Sequence, residues 1–567
     1  MPHRLIITLS FVLSLVIIAG YPVSAAADES AERYDVVVYG ATSGGVTAAV
    51  QAARMDRSVA IISVNRHIGG MSSAGLGQTD TGRMATIGGL SREFYERVYQ
   101  HYESDEAWTR EEREEYLGMG PGEHEWYFPV DRIREWGRAW RDGMAFTFEP
   151  HVALKVFKDM LDDAGVTVVL EERLDLDPNR GVEMDGTVIE AIVMESGRRF
   201  EADVFIDATY EGDLMATAGV SYIVGREGNE AHGENLNGVQ TENAVNHQFQ
   251  DGVDPYVEPG DPDSGLLPGL DPTGPGEEGG ADHRVQAYCF RMCLTDDEDN
   301  QVAFEKPEGY DEAEYELLFR NFEAGEDIVP LHPARMPNRK TDTNNHRAMS
   351  TNWVGRNYEW PDGDYETREE LFEGHKRYQQ GLMWTLANHP RVPEHIREEV
   401  SRWGYAADEF EEYGNWPPQL YIRVARRMIG EYVVTEIDIR GGGEDVDDPV
   451  AMGGYQMDSH NVQRYVDENG HARNEGDVQV GAPRAYPISY RAILPQREEA
   501  SNLLVPVAMS ATHIAYGSIR MEPVFMKLGH AAGAAASFAI SEDVALHDVA
   551  YGPLRERLLE DGQVLPQ

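Results

Sequence analysis

Gly40-Ala41-Thr42-Ser43-Gly44-Gly45 is the stretch whose residue types and spacing most directly prescribe chemistry. It is an imperfect G-x-G-x-x-G, with Gly40 and Gly45 in the first and third glycine positions and Thr42 in the second. Glycines so placed let the chain turn tightly between a strand and a helix, and bring the helix N–H groups against a pyrophosphate. Thr42 makes a close backbone approach harder, while its hydroxyl offers a donor to a phosphate. A second pair, Ser63 and Asn65, stands where such a unit usually carries an acidic residue for the ribose of a dinucleotide. Either side chain can hydrogen-bond a ribose hydroxyl, more weakly than a carboxylate.

These residues need a strand–turn–helix–strand to position them. Val36-Val37-Val38-Tyr39 is a continuous apolar run, as a buried parallel strand requires. Val46 to Ala53 reads as a small-residue helix, and Val59-Ala60-Ile61-Ile62 as the second strand. Residues 150–170 read as a helix followed by a strand, Val204-Phe205-Ile206 as a short strand, and Asn502 to Val507 as another buried one. The pattern predicts an α/β, Rossmann-like fold. Tyr288 to Leu294 also reads as a strand and holds both cysteines, Cys289 and Cys293. Four residues of strand separate them by about 13 Å, and a disulfide needs Cα atoms within about 7 Å, so both are expected as buried thiols. Residues 226–286 read as long loops; Asp254, Asp261 and Asp263 lack the spacing of a calcium loop, so no metal is expected. Residues 300–430 read as helical and highly charged.

Arg66-His67-Ile68-Gly69-Gly70-Met71 follows the second strand, and its Gly-Gly pair resembles flavoproteins of the glutathione-reductase/succinate-dehydrogenase type. Four further segments carry a closer likeness: residues 205–214 (FIDATYEGDL), 286–291 (QAYCFR), 416–423 (WPPQLYIR) and 510–523 (SATHIAYGSIRMEP). Together they resemble the FAD-dependent oxidoreductase family, over about residues 34–540. The resemblance implies FAD as cofactor and a discontinuous FAD-binding domain, with an inserted α+β substrate or cap domain. The implied boundaries are 28–225 and 481–567 for the two parts of the FAD-binding domain and 226–480 for the insertion. It also implies that Gly69, Gly70 and Met71 pass the flavin ring, that the chain meets the dinucleotide again at Asp207 and Ala208, and that Arg520, Met521 and Glu522 lie near the ring. The helix containing Gly529 to Ala536 is expected to aim its positive end at the flavin. His513 is then a candidate base and Arg520 an anion or flavin partner; alternatively His513 packs structurally and Arg520 pairs with Glu522 or another carboxylate. A second set of candidates comprises Asn344-Asn345-His346, Asp458-Ser459-His460, Tyr486 and Arg491.

Composition narrows the partners. The 567 residues carry 49 Lys+Arg against 99 Asp+Glu, a formal charge of −50, which excludes a nucleic-acid partner and docking on anionic lipid. Only six of the basic residues are Lys, which fits either a high-salt surface or a codon bias toward Arg. Residues 1–27 read as a cleavable export signal, with Arg4, an apolar run to Gly20 and small residues up to Ala27; no stable membrane insertion is expected. Export favours oxidation of a small-molecule substrate such as an alcohol, sugar or amine, with electrons going to quinone, a carrier protein or oxygen. The alternatives are an NAD(P)H-dependent reductase or hydroxylase, for which no second glycine motif stands out, and a non-catalytic binding protein with an empty nucleotide fold.

Overall fold

The computed structural model describes residues 31–118, 140–442 and 446–566; the expected export segment, residues 1–27, lies outside them. Strand β1 (Glu32–Tyr39) ends in four buried residues and leads through Gly40 into α1 (Ser43–Arg54). Strand β2 (Val59–Ile62) returns parallel to β1, with Val36 opposite Val59 and Tyr39 opposite Ile62. Helix α2 (Pro150–Ala164) precedes β3 (Thr167–Val169), which joins the outer side of β2, also parallel.

On the other side of β1 lies β6 (Arg199–Asp207), parallel along seven paired positions. The start of β6 carries an antiparallel extension, β4 (Val182–Asp185) and β5 (Val188–Val193). Its end pairs with a two-residue strand, Leu503–Leu504, set parallel to Phe205 and Ile206. The chain therefore returns to its first sheet after some 300 residues elsewhere. This strand is shorter than the stretch Asn502 to Val507 suggested.

Residues 300–430 correct the helical expectation. Helix α3 (Tyr365–Asn388) is there, but the region is organised on a five-stranded antiparallel sheet. Its strands are β7 (Met292–Thr295), β8 (Gln301–Val302), β9 (Leu331–Met336), β10 (Lys340–Asn345) and β11 (Gly404–Ala406), in the order β8-β11-β7-β10-β9. Glu369, Glu370 and Glu373 on α3 are exposed, as a solvated helix face requires, but the charged residues of strand β10 are buried and paired. The Lys340 ammonium on β10 sits 2.8 Å from Glu149 and from Glu409 and 2.9 Å from Asp408. The β9–β10 hairpin turns without glycine, through Asn338 and Arg339 at φ 61° and 58°. The strand expected over Tyr288 to Leu294 begins only at Met292; Cys289 makes an isolated bridge to Tyr421, and both cysteines are buried thiols.

The C-terminal segment closes the first sheet. Helix α4 (His513–Ile519) is followed by α5 (Glu522–Glu542), which starts seven residues before Gly529. A Cβ on Gly529 would stand 1.9 Å from the Gly44 carbonyl oxygen, and one on Gly533 2.3 Å from that of Ala48. Bare backbone is the only surface that fits, so α5 lies directly on α1. The Thr47 hydroxyl pins the seam by donating to the Met526 carbonyl at 2.8 Å. No described helix is long and apolar enough to cross a membrane.

Candidate active site

The segment 40–45 is buried throughout and built by exclusion of side chains. Gly40 has φ +106°, and a Cβ there would meet the Ala208 carbonyl carbon at 2.6 Å; one on Gly45 would meet the Gly40 carbonyl oxygen at 1.9 Å. Thr42 does not need glycine's freedom, since its φ is −70°. Its hydroxyl faces inward, accepting from the Gly45 N–H at 3.2 Å and donating to the Ala208 carbonyl at 2.7 Å. The residue that breaks the glycine pattern is therefore the N-cap of α1 and a tie to the end of β6. The remaining first-turn N–H groups of α1 have no partner within the helix.

The other glycine pair joins the same place. The Gly69 N–H donates to the Ala41 carbonyl at 2.7 Å, and Gly70, at φ +55°, leaves no room for a Cβ between Thr42 and the Tyr210 hydroxyl. Tyr210 then knots three segments: it accepts from the Met71 N–H at 2.9 Å and donates to Glu522 at 2.8 Å. Ser72 donates to the other Glu522 oxygen at 3.1 Å. Glu522 occupies the first turn of α5 and is buried, which pushes its carboxyl up despite these donors. Gly40 to Gly45, Gly69 to Met71, Ala208, Met521 and Glu522 thus converge from segments far apart in sequence.

Three expected cofactor residues are occupied differently. The Ser63 hydroxyl donates to the His67 carbonyl at 3.2 Å and reaches Asn65 at 3.4 Å, while Asn65 also accepts from the His67 N–H. They shape the loop that carries Gly69. The Asp207 carboxylate turns away from the glycines and accepts from Thr209, twice, and from the Met215 N–H. Burial lifts this carboxyl to about 6, and those three donors limit the rise.

Beside the knot lies a cluster of buried charge. Strand β12 (Met457–Ser459) pairs with β13 (Val478–Val480) and carries Asp458 and Ser459 to α4. Arg520 donates to Asp458 at 2.7 Å and to the Tyr421 hydroxyl at 2.6 Å. His513 meets the Ser459 hydroxyl at 3.1 Å through Nε2, and its Nδ1 has no partner among the described residues. His460 meets Asn352 at 3.3 Å and Asp458 at 3.4 Å. The two candidate sets of the sequence, His513 with Arg520 and Asp458-Ser459-His460, are one constellation. Arg520 pairs with Asp458, not with Glu522.

Burial dominates the titration here. It pushes His460 down to about 3, helped by Arg423 and Arg520, and His513 well below its ordinary value, helped by Arg427, Arg226 and Arg520. Both imidazoles are neutral at pH 7. Burial alone would raise Asp458, but its neighbours His460, Arg520 and Arg423 hold it at about 2. Since His460 is uncharged, the arginines keep Asp458 ionised.

The remaining candidates fall outside. Tyr486 bonds the Ser518 hydroxyl at 2.6 Å, and Arg491 forms ion pairs with Asp447 and Asp448. Asn344 accepts from the Cys289 thiol at 3.9 Å at the edge of the cluster; Asn345 ends β10, and His346 stands edge-on to His247 with ring centroids 5.8 Å apart. Residues absent from the sequence expectations include Tyr210, Tyr421, Arg291, Arg423 and Asn352. A signal for the arginines exists: Arg291 and Arg423 each close a largely apolar run, where a cation is unusual.

The family described as FAD dependent oxidoreductase matches residues 35–558. The chain belongs to it. It is an oxidoreductase, and its cofactor is FAD. No curated protein matches the chain. Among solved structures it is similar to an L-amino acid deaminase from Proteus vulgaris lacking its specific insertion sequence, at 18% identity over 31% of this chain and 53% of that one, TM-score 0.21. A similar likeness holds to L-proline dehydrogenase from P. horikoshii, at 14% identity over 35% and 59% of the two chains, TM-score 0.22. A third is 3-ketosteroid-delta4-(5alpha)-dehydrogenase from Rhodococcus jostii RHA1, at 17% identity over 35% and 50%, TM-score 0.19. The matches span between half and three fifths of those proteins, too little for an argument about substrate.

The residues present fit FAD. The capped end of α1 offers N–H groups to a pyrophosphate on a floor of bare backbone at Gly40. Gly69 to Met71 and the start of α5 supply a second wall, and Arg520 stands between that wall and the charged cluster.

Proposed function

We propose that this FAD-dependent oxidoreductase acts outside the cytoplasm and oxidises a small organic substrate, an alcohol, sugar or amine. Its electrons would pass to quinone, a carrier protein or oxygen. The observation that carries the reading is the neutral His513, whose Nδ1 is free of partners, in the same cluster as the fixed cation Arg520.

FAD, when bound, supplies the hydride acceptor. The chain's own task is to take the proton that leaves a substrate hydroxyl or ammonium group. His513 accepts it at Nδ1, and Ser459 holds the ring in place through Nε2. Arg520, fixed by Asp458 and Tyr421, opposes negative charge that builds on the substrate oxygen as the proton leaves. Burial of the cluster excludes water.

The domain boundaries become part of this proposal. Arg291, Tyr421, Arg423 and residues 458–460 lie within 226–480, the substrate-facing region, while the glycine cradle and Glu522 lie within 28–225 and 481–567.

Anaerobic mixing of the yellow protein with a panel of alcohols, sugars, amines and their acids tests the reading. Bleaching of the flavin bands by an organic substrate is the expected result; bleaching by NADH alone would replace it with the reductase reading. His513→Gln should keep the flavin spectrum and slow that bleaching by about 10²–10⁴-fold, the usual worth of a general base. An exported chain beginning at Asp28 by mass would support the compartment.

A further inference from the structure

Three guanidinium groups surround a single aromatic ring in the interior. The guanidinium carbons of Arg423, Arg520 and Arg291 lie 4.7, 5.6 and 5.9 Å from the centroid of the Tyr421 ring. Their residues are 1%, 3% and 4% exposed. Two of them have carboxylates. Arg291 grips Asp342 with two hydrogen bonds of 2.6 Å, and Arg520 holds Asp458 at 2.7 Å.

Arg423 has none. Its terminal nitrogens donate to the Ala287 carbonyl and, at 3.2 Å, to the Cys289 sulfur. Among the described residues its Nε–H has no acceptor, nor has that of Arg520. An arginine cannot shed its proton to escape this situation. A buried cation is expensive without a counterion, and an aromatic face with two neutral acceptors offsets only part of that cost.

The carboxylates nearby are already engaged. Asp342 is gripped by Arg291 and Asp458 by Arg520, and Asp80 accepts from the Tyr455 hydroxyl at 3.1 Å. His460 and His513 add no charge, because burial keeps both neutral. Among the described residues, Arg423 alone of the three arginines is left without a hydrogen-bonded counterion, in the cluster that borders the cofactor segments.

We propose that the substrate supplies it: the molecule oxidised carries a carboxylate that docks on Arg423. This rests on the oxidative reading above and narrows it from alcohols and amines at large to hydroxy acids or amino acids. A planar carboxylate matches the fork of a guanidinium that has no anion of its own. The oxidation balances without another reactant. The carbon bearing the hydroxyl or ammonium group loses a hydride to FAD while that group gives a proton to His513, leaving a carbonyl or an iminium on an otherwise intact acid.

Isothermal titration of the holoenzyme tests the site apart from turnover. The probes are glycolate, L-lactate and benzoate, with glycolamide and inorganic sulfate as controls. At least one carboxylate is expected to bind at millimolar concentration or below, and at least tenfold more tightly than glycolamide. Arg423→Met should weaken that binding at least tenfold with the flavin spectrum unchanged, and Arg423→Lys should weaken it less. Equal binding of glycolamide, preference for sulfate, no carboxylate binding, or unchanged affinity in Arg423→Met would overturn the proposal. If Arg423→Met fails to retain FAD, the carboxylate-against-amide comparison on the unaltered protein decides alone. Flavin reduction by uncharged alcohols, with no carboxylate bound, removes this inference and leaves the oxidative reading standing; carboxylate binding with no acid oxidised does the reverse.

Discussion

Around Gly40 the protein excludes side chains; around Tyr421 it gathers them. The cradle is made of positive-φ glycines and carbonyls in near contact, and its shape depends on what is missing at Gly40, Gly45, Gly70 and Gly529. The cluster is made of the charged side chains of residues 291, 342, 423, 458 and 520 around the Tyr421 ring, and it depends on pairing, which Arg291 and Arg520 find in Asp342 and Asp458. A cradle of that kind fails when an atom is added. A cluster of this kind fails when one is taken away, because the partner left behind is charged and buried.

The largest effect should come from adding atoms at the cradle. Gly45→Val places carbon where the Gly40 carbonyl oxygen stands, 1.9 Å from an ideal Cβ. FAD content per purified chain should fall by about a hundredfold or more, equivalent to about 2.7 kcal/mol of binding. Retention of full flavin content would break the exclusion argument. Thr42→Gly, which restores the standard glycine pattern, should cost a few tenths to about 1 kcal/mol of stability by removing the α1 cap; a gain in stability would show that the cap does nothing.

Next comes removal at the cluster. Arg520→Met should lower unfolding free energy by about 3–5 kcal/mol, because Asp458 is left buried without its closest cation. The double variant Arg520→Met/Asp458→Asn should recover much of this. Equal losses in the single and the double variant would mean that packing, not charge, holds Arg520.

A pH titration separates the two regions more finely. Burial holds His247, His346 and His375 at about 4 and His332 and His460 at about 3, all within 226–480, whereas His67 on the cradle loop is also near 4. An unfolded imidazole takes a proton near 6.5 that these folded ones refuse. Their stabilising contribution is complete above pH 6.5 and is lost as pH falls toward 4, by up to about 1.4 kcal/mol per pH unit for each group. Asp477, raised to about 7 by burial and by Asp458, acts in the opposite sense and costs stability as pH rises from 3.8. His375→Gln should reduce the acid-side slope by about one proton, seen in chemical denaturation between pH 4 and 6.5; an unchanged slope would place its protonation elsewhere. The smallest effect belongs to Arg491→Ala, whose guanidinium is exposed although its partner Asp448 is half-buried: about 1 kcal/mol in stability and no change in flavin reduction.

The same contrast explains what could be read from the chain. β1, the glycine turn and α1 are local, and a run such as Val36 to Tyr39 followed by Gly40 has few ways to fold. The family resemblance carried the cofactor. The five-stranded sheet was hidden because its polar strand residues, Lys340 and Asp342, are paired inside the protein with Glu149, Glu409 and Arg291. Composition alone reads such residues as solvated. Thr42 was assigned a phosphate and instead caps a helix, a choice set by the position of Ala208, 166 residues away. Arg423 is marked locally only as a cation closing an apolar run; what it does depends on the carboxylate it lacks, which is settled by residues far along the chain.

The seam between α1 and α5 also bears on the order of events during synthesis. Thr47 and Met526, bonded at 2.8 Å, are 479 residues apart, and Glu522 is one corner of the Tyr210 knot. A nascent chain that has emerged only as far as α4 has a complete glycine turn and only the Gly69 to Met71 part of the second wall. Loop closure of that length must precede any lasting hold on the dinucleotide. A lasting hold on the cofactor therefore requires the chain from Glu522 onward, and a chain truncated before that residue should purify colourless.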